Sequence, residues 1–168
     1  MPLTRPGLPF RLVNAPGRPG YAPGLQRHHL LPRQLLGQRS LEGMIRYLGA
    51  DRLGFEDFRR NGLLLPATER AARRIGLPLH RGPHRRYNEV VVDRAGQIEL
   101  HWRKVRARNG DRADSEALMR FDLLQRALRR RLLEPARWRG PPLNRRDPAL
   151  DFSHLDRMAD FLWSGSAA

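Results

Sequence analysis

The chain predicts a mostly α-helical fold with one small extended element. Apolar residues recur at close to the helical period through residues 87–105 and again through 118–132. The densest apolar run, Leu63-Leu64-Leu65, is only three residues long and sits between Gly62 and Pro66, which suits a short strand or extended loop. With 168 residues, 15 Gly and 14 Pro, the chain is sized for one compact core with one or two appendages and is too turn-rich for a coiled coil or a simple bundle.

The elements follow in order. Residues 1–24 are rich in Pro and Gly, basic and without a sustained period; they read as a weakly ordered extended arm that lies along a surface or ligand rather than building the core. From Arg33 to Leu48 the apolar positions Leu35, Leu36, Met44, Ile45 and Leu48 suit a helix that Gly37 and Gly43 interrupt, so one broken or two short helices are expected. Glu56 and Asp57 read as a helix start before Asn61, with a carboxylate ligand for a metal as the alternative. Thr68 caps a brief helix from Glu69 to Ile75 that Gly76 ends. After Pro83 a long helix runs through Tyr87, Val91, Ile98, Trp102 and Val105, with a bend possible at Gly96 and a short strand at Glu89–Val92 as the alternative. Leu118, Phe121, Leu124, Leu128 and Leu132 mark a clearer helix with Pro135 beyond its end. Ser153 followed by Asp156 starts a third, its apolar side formed by Leu155, Met158, Phe161 and Leu162.

Charge narrows the function. Lys and Arg total 32 against 17 Asp and Glu, a net charge of +15 and a pI near 11.7, the balance of a partner for polyanions. Lys104 is the sole lysine. A GC-rich coding preference would put Arg for Lys without functional content, but it does not explain the excess over acids. The absence of cysteine excludes a disulfide framework, a thiolate metal site and a thiol nucleophile, leaving His, carboxylate or carbonyl groups to hold any metal. No apolar run approaches a membrane span. The prolines of the arm forbid the amphipathic helix of a transit peptide, and no secretory core is present, so a cytoplasmic location is expected.

Four of the six histidines form two tight pairs, His28-His29 and His80 with His84. The second pair has metal-ligand spacing, although two imidazoles lining a helix or binding phosphate would look the same. Adjacent residues of an extended chain point to opposite sides, so one of His28 and His29 is able to bind metal while the other faces substrate or water. Three imidazoles from His28, His80 and His84 would leave open positions on an ion, the mark of a catalytic site. Phosphodiester hydrolysis uses such parts: a neutral imidazole takes a proton from water, and a metal stabilises charge on phosphoryl and leaving oxygens. Arg81, Arg85 and Arg86 stand around the second pair, ready for phosphate.

Three blocks in order, Arg27-His28-His29-Leu30-Leu31-Pro32, Gly54-Phe55-Glu56-Asp57 leading into Asn61-Gly62-Leu63-Leu64-Leu65-Pro66, and His80-Arg81-Gly82-Pro83-His84 followed by Tyr87, resemble the AHH family of the HNH/endonuclease VII nuclease superfamily. The resemblance covers roughly residues 25–95. It implies a ββα-metal nuclease core: a hairpin with the His pair on one strand and Asn61 at the other, closed by a helix that supplies a metal ligand. By position it makes His28 a metal ligand, His29 the general base, Asn61 the residue that orients the base loop, and His80 and His84 the rest of the metal shell. Arg27 stands where the family takes its name from alanine, beside the reacting groups rather than among them. The long stretch between His29 and Asn61 obliges helical material to interrupt the hairpin.

The expected organisation is thus a basic arm over 1–24, an HNH/AHH-like core over 25–110, and a C-terminal helical region over 111–168 packing on it. The expected activity is metal-dependent endonucleolytic hydrolysis with one divalent ion, Zn, Ni, Mn or Mg, on nucleic acid, DNA preferred over RNA through the superfamily, with Arg27, Arg81, Arg85 and Arg86 contacting the substrate. The alternatives are a non-catalytic metal-stabilised nucleic-acid-binding module, and a toxin or effector nuclease countered by an immunity protein. An unliganded imidazole beside the metal argues for the enzyme, because a structural site has no use for it. His101 and His154 read as surface or capping histidines, Trp102, Trp138 and Trp163 as apolar-face residues, and Arg129–Arg131 as a solvated helix end.

Overall fold

A computed structural model of the chain describes residues 6–80 and 84–134. It is mostly helical around one two-stranded antiparallel hairpin, as expected for a ββα-type nuclease core with added helices. Strand β1 (Leu25–His29) pairs with β2 (Gly62–Pro66) so that His29 faces Gly62, His28 faces Leu63 and Leu25 faces Pro66. Between the strands run a 3-10 turn (Arg33–Gly37) and three helices, α1 (Arg39–Leu48), α2 (Ala50–Leu53) and α3 (Phe58–Asn61). The break expected near Gly37 falls at Gln38, and Gly43 is carried inside α1, whose Leu41, Met44, Ile45 and Leu48 form one buried stripe.

Helix α4 (Glu69–Ile75) follows its local signals: the Thr68 hydroxyl accepts from the Ala71 N–H, and Gly76 closes the helix in the left-handed region at φ 74°. Helix α5 (Arg85–Arg106) is continuous through Gly96, so the valine strand does not form. Val91 belongs instead to a buried helical stripe with Tyr87, Ala95, Ile98 and Trp102. Helix α6 (Gly110–Leu133) begins well before Leu118 because the Asn109 side chain caps it by accepting from the Arg112 N–H.

Helices α5 and α6 form an antiparallel hairpin. Trp102 Nε1 donates to Asp114 at 2.8 Å, and His101 Nε2 lies 2.8 Å from a Glu116 oxygen. His101 therefore bridges two helices rather than standing as a lone surface histidine. Arg129, expected at a solvated helix end, instead donates to the Arg59 and Arg60 carbonyls and satisfies the C-terminus of α3. A single apolar cluster joins Leu30, Leu31, Leu63 and Leu65 of the hairpin region to α1, α5 and α6, so the hairpin rests on a helical bed. Among the described residues no helix is long and apolar enough to cross a membrane. Trp138, Trp163, His154 and the helix expected from Ser153 lie outside the described residues.

From residue 6 on, the arm departs from the expected weak order. Leu8 N–H donates to the Asp57 carboxylate at 2.9 Å, the Phe58 N–H donates to the Leu8 carbonyl at 2.7 Å, and Pro9 bridges to Asp57. Asn14, at φ 45°, folds the following turn by accepting from the Ala22 N–H and donating to the Ala22 and Leu25 carbonyls. Asp57 and Phe58 are distant from Leu8 in sequence, so the arm has order without any period of its own.

One glycine is required by close approach. A Cβ at position 62 would collide with the Phe58 ring, which lies across the start of β2 beside His29. Gly62→Ala is expected to lower stability by about 1–3 kcal/mol, as overpacking does. Urea unfolding measures it, and an unchanged midpoint would show that the ring has room to move.

Candidate active site

The pleat of β1 sorts the site into two faces. Gln26 and His28 point one way, Arg27 and His29 the other, because side chains alternate along a strand. His28 is driven inward, 2 % exposed, and there meets His80 and His84.

His80 and His84 reach it from separate positions. His80 sits in an extended segment whose N–H donates to the Pro66 carbonyl at 2.7 Å, and His84 occupies the N-cap of α5. The pair therefore does not share a helix: one residue is extended and the other caps α5. Ring centroids are 5.0 Å apart for His28–His80, 5.2 Å for His28–His84 and 4.5 Å for His80–His84. One ligating nitrogen from each lies within 4.8 Å of the others.

Electrostatics favour the neutral form of His28 and His80, the state in which imidazole binds metal. Burial pushes His28 well below the ordinary histidine range, and the neighbouring His80, His84 and His29 add to it. Burial, then His84, lowers His80 to about 4. The Nε2 atom of His28 is buried without a hydrogen-bond partner, an arrangement a dry core disfavours and a bound cation would relieve. Three converging imidazoles fit one divalent ion of the borderline class. The other nitrogen of His80 is engaged: Nδ1 lies 3.0 Å from the Gln26 amide oxygen, which selects the tautomer with Nε2 free. Tyr87, in the first turn of α5, packs its ring 4.9 Å from His28 and donates its hydroxyl to the Leu30 carbonyl at 2.6 Å.

His29 stands on the opposite face, half-buried, with no part in the triad. Its ring stacks on Phe10 at 3.8 Å and 3°. Burial lowers its pKa, Glu56 pulls the other way, and Arg33 and Arg27 reinforce the lowering.

Asn61 is fully buried at the end of α3 and ties down the chain leaving His29. Its Oδ1 accepts from the Leu31 N–H at 2.6 Å, and its Nδ2 donates to the Phe55 carbonyl at 3.1 Å and the Leu31 carbonyl at 3.2 Å. Gln125 of α6 donates to the Leu53 carbonyl at 3.1 Å and to Asn61 Oδ1 at 3.4 Å. Asn61→Ala is expected to destabilise the fold by about 3 kcal/mol, because it strands several buried backbone groups at once. Chemical denaturation measures the loss, and one under about 0.5 kcal/mol, the range of ordinary surface substitutions, would show that the backbone groups find other partners.

The arginines differ in placement. Arg27 donates to the Phe10 carbonyl at 2.8 Å, holding the arm. Arg85 and Arg86 are exposed in the first turn of α5, and Arg81 lies outside the described residues. Three supporting residues escape a reading of the sequence. Gln26 was detectable as a polar residue on the His28 face of the strand, and Gln125 as a polar residue within the apolar stripe of α6. Phe10 carried no local signal.

A family model described as AHH, a nuclease family of the HNH/ENDO VII superfamily with conserved AHH, matches residues 10–128. The match extends in both directions beyond the 25–95 stretch that carries the motif resemblance, and takes in Phe10 and Gln125. No curated protein and no solved structure matches the chain.

Proposed function

Since the chain belongs to the AHH family of nucleases in the HNH/ENDO VII superfamily, we propose that it is a metal-dependent endonuclease with His29 as its general base. One observation carries the reading: β1 sends His28 into the His80–His84 cluster and leaves the adjacent His29 on the opposite face, outside it. A purely structural metal site would account for three of these histidines and leave the fourth without work.

In this reading His28, His80 and His84 hold one divalent ion, Zn, Ni, Mn or Mg. When bound, the ion supplies positive charge for the phosphoryl and leaving oxygens of a phosphodiester. His29 takes the proton of the attacking water as the water oxygen bonds to phosphorus and the bond to the 3′ oxygen breaks. Asn61 acts through the backbone: by fixing Leu31 it fixes the strand end from which His29 projects. Arg85 and Arg86 occupy the first turn of α5, where the helix dipole disfavours cations, and a substrate phosphate beside them would offset that repulsion. The net charge of +15 suits a polymeric substrate, and DNA is preferred over RNA by superfamily membership.

The test is incubation of the purified chain with supercoiled plasmid and with RNA, metal-stripped and with each of Zn, Ni, Mn and Mg. Nicked and then linear plasmid in at least one metal, and none in chelator, is expected. Binding of nucleic acid without scission under every metal would identify the non-catalytic module instead.

A further inference from the structure

His29 has a different kind of support from the other three histidines. The triad rings brace one another and Tyr87. His29 projects from the last residue of β1, and its Nε2 is buried with no hydrogen-bond partner. Among the described rings, the one lying parallel to it is Phe10, at 3.8 Å and 3°. Phe10 comes from the arm, outside the hairpin and the main apolar cluster.

That ring is itself held firmly. Arg27, whose side chain shares the His29 face of β1, donates to the Phe10 carbonyl. Phe58 meets Phe10 edge to face at 5.1 Å and 74°, and the missing Cβ of Gly62 admits Phe58 at this place. The backbone before Phe10 is fastened to Asp57 and Phe58. Chain segments from three parts of the sequence thus converge to place one phenyl face against one imidazole face.

We propose that Phe10 is a positioning residue for the reaction: it clamps the plane of the His29 ring, so that the arm completes the active site. This rests on His29 being the general base. Proton transfer needs a ring nitrogen aimed at the water, and an imidazole free to rotate about its side-chain bonds would spend little time so aimed. Stacking restricts that rotation while leaving both ring nitrogens without a competing bond from the phenyl group.

The full chain is compared with Phe10→Ala, Phe10→Leu, Phe10→Trp and His29→Ala. Two measurements are made: single-turnover plasmid cleavage at saturating protein and metal, and proton spectra of the histidine rings in metal-free protein. Face stacking should shift the His29 ring protons upfield in the parent and in Phe10→Trp, and the shift should vanish in Phe10→Ala and Phe10→Leu. Cleavage should fall by about 10-fold to 10²-fold in Phe10→Ala and Phe10→Leu, with the half-saturating protein concentration unchanged, and return in Phe10→Trp. In a His29→Ala background, Phe10→Ala should have no further effect. Phe10→Leu keeps the apolar volume and guards against simple unfolding. If His29→Ala is inactive while the Phe10 variants cleave like the parent, the clamp is refuted and the base assignment stands. If the Phe10 variants cleave faster, the arm is a cover and the clamp is again refuted. If His29→Ala cleaves like the parent, the base assignment itself fails and takes the clamp with it.

Discussion

His29→Ala is expected to lower the rate of phosphodiester cleavage by ~10²–10⁴, the usual contribution of a positioned general base, and to leave metal affinity near that of the parent. The two effects separate because the pleat does. His29 lies on the face of β1 turned away from His28, and the three nitrogens that converge come from His28, His80 and His84. Truncation at a half-buried ring should also leave the fold standing. Calorimetric titration of metal and single-turnover cleavage are to be run on the same preparation. Loss of metal binding in His29→Ala would mean that the adjacent pair has been assigned the wrong way round.

The second large effect belongs to the triad. His80→Ala and His84→Ala should each abolish cleavage and weaken metal binding enough that thermal stability no longer responds to added metal. For the parent, a ligand present at about 100 times its dissociation constant stabilises the folded state by ~2.7 kcal/mol, several degrees in Tm for a domain of this size. These two positions give a cleaner experiment than His28, which is 2 % exposed and whose truncation would open a cavity in the hairpin's packing. A Tm that still rises with metal in either variant would remove that histidine from the ligand set.

Legibility in the sequence followed the range of the interactions. Thr68 and Gly76 bound α4 because the cap and the left-handed turn are completed within a few residues, and the stripe from Tyr87 to Trp102 is a property of one helix. The hairpin was different. Leu63-Leu64-Leu65 does not alternate, and its partner strand lies far upstream, so the pairing was reached through motif resemblance and not through periodicity. The spacing of His80 and His84 allows the two rings to meet when the second stands at a helix start, and His84 caps α5 while His80 is extended. Gln125 on Asn61, Gln26 on His80 and Phe10 on His29 are contacts between remote segments, and no local pattern encodes them.

The separation of the strands has a consequence for how the nuclease comes into being. Residues 30–61 intervene between His29 and Gly62, where a tight hairpin would have two, and each doubling of a loop adds ~0.6 kcal/mol of closure entropy. Pairing is therefore disfavoured by roughly 2 kcal/mol relative to a tight turn. The strands are brought together by the shared apolar cluster with α1, α5 and α6, and by Gln125 reaching Leu53 and Asn61. Strand register and global folding become one cooperative event, so a nascent or partly opened chain carries His28, His80 and His84 without bringing them together. The Leu30 and Leu31 amides, bonded to Asn61, should then exchange with solvent only as fast as the whole domain opens.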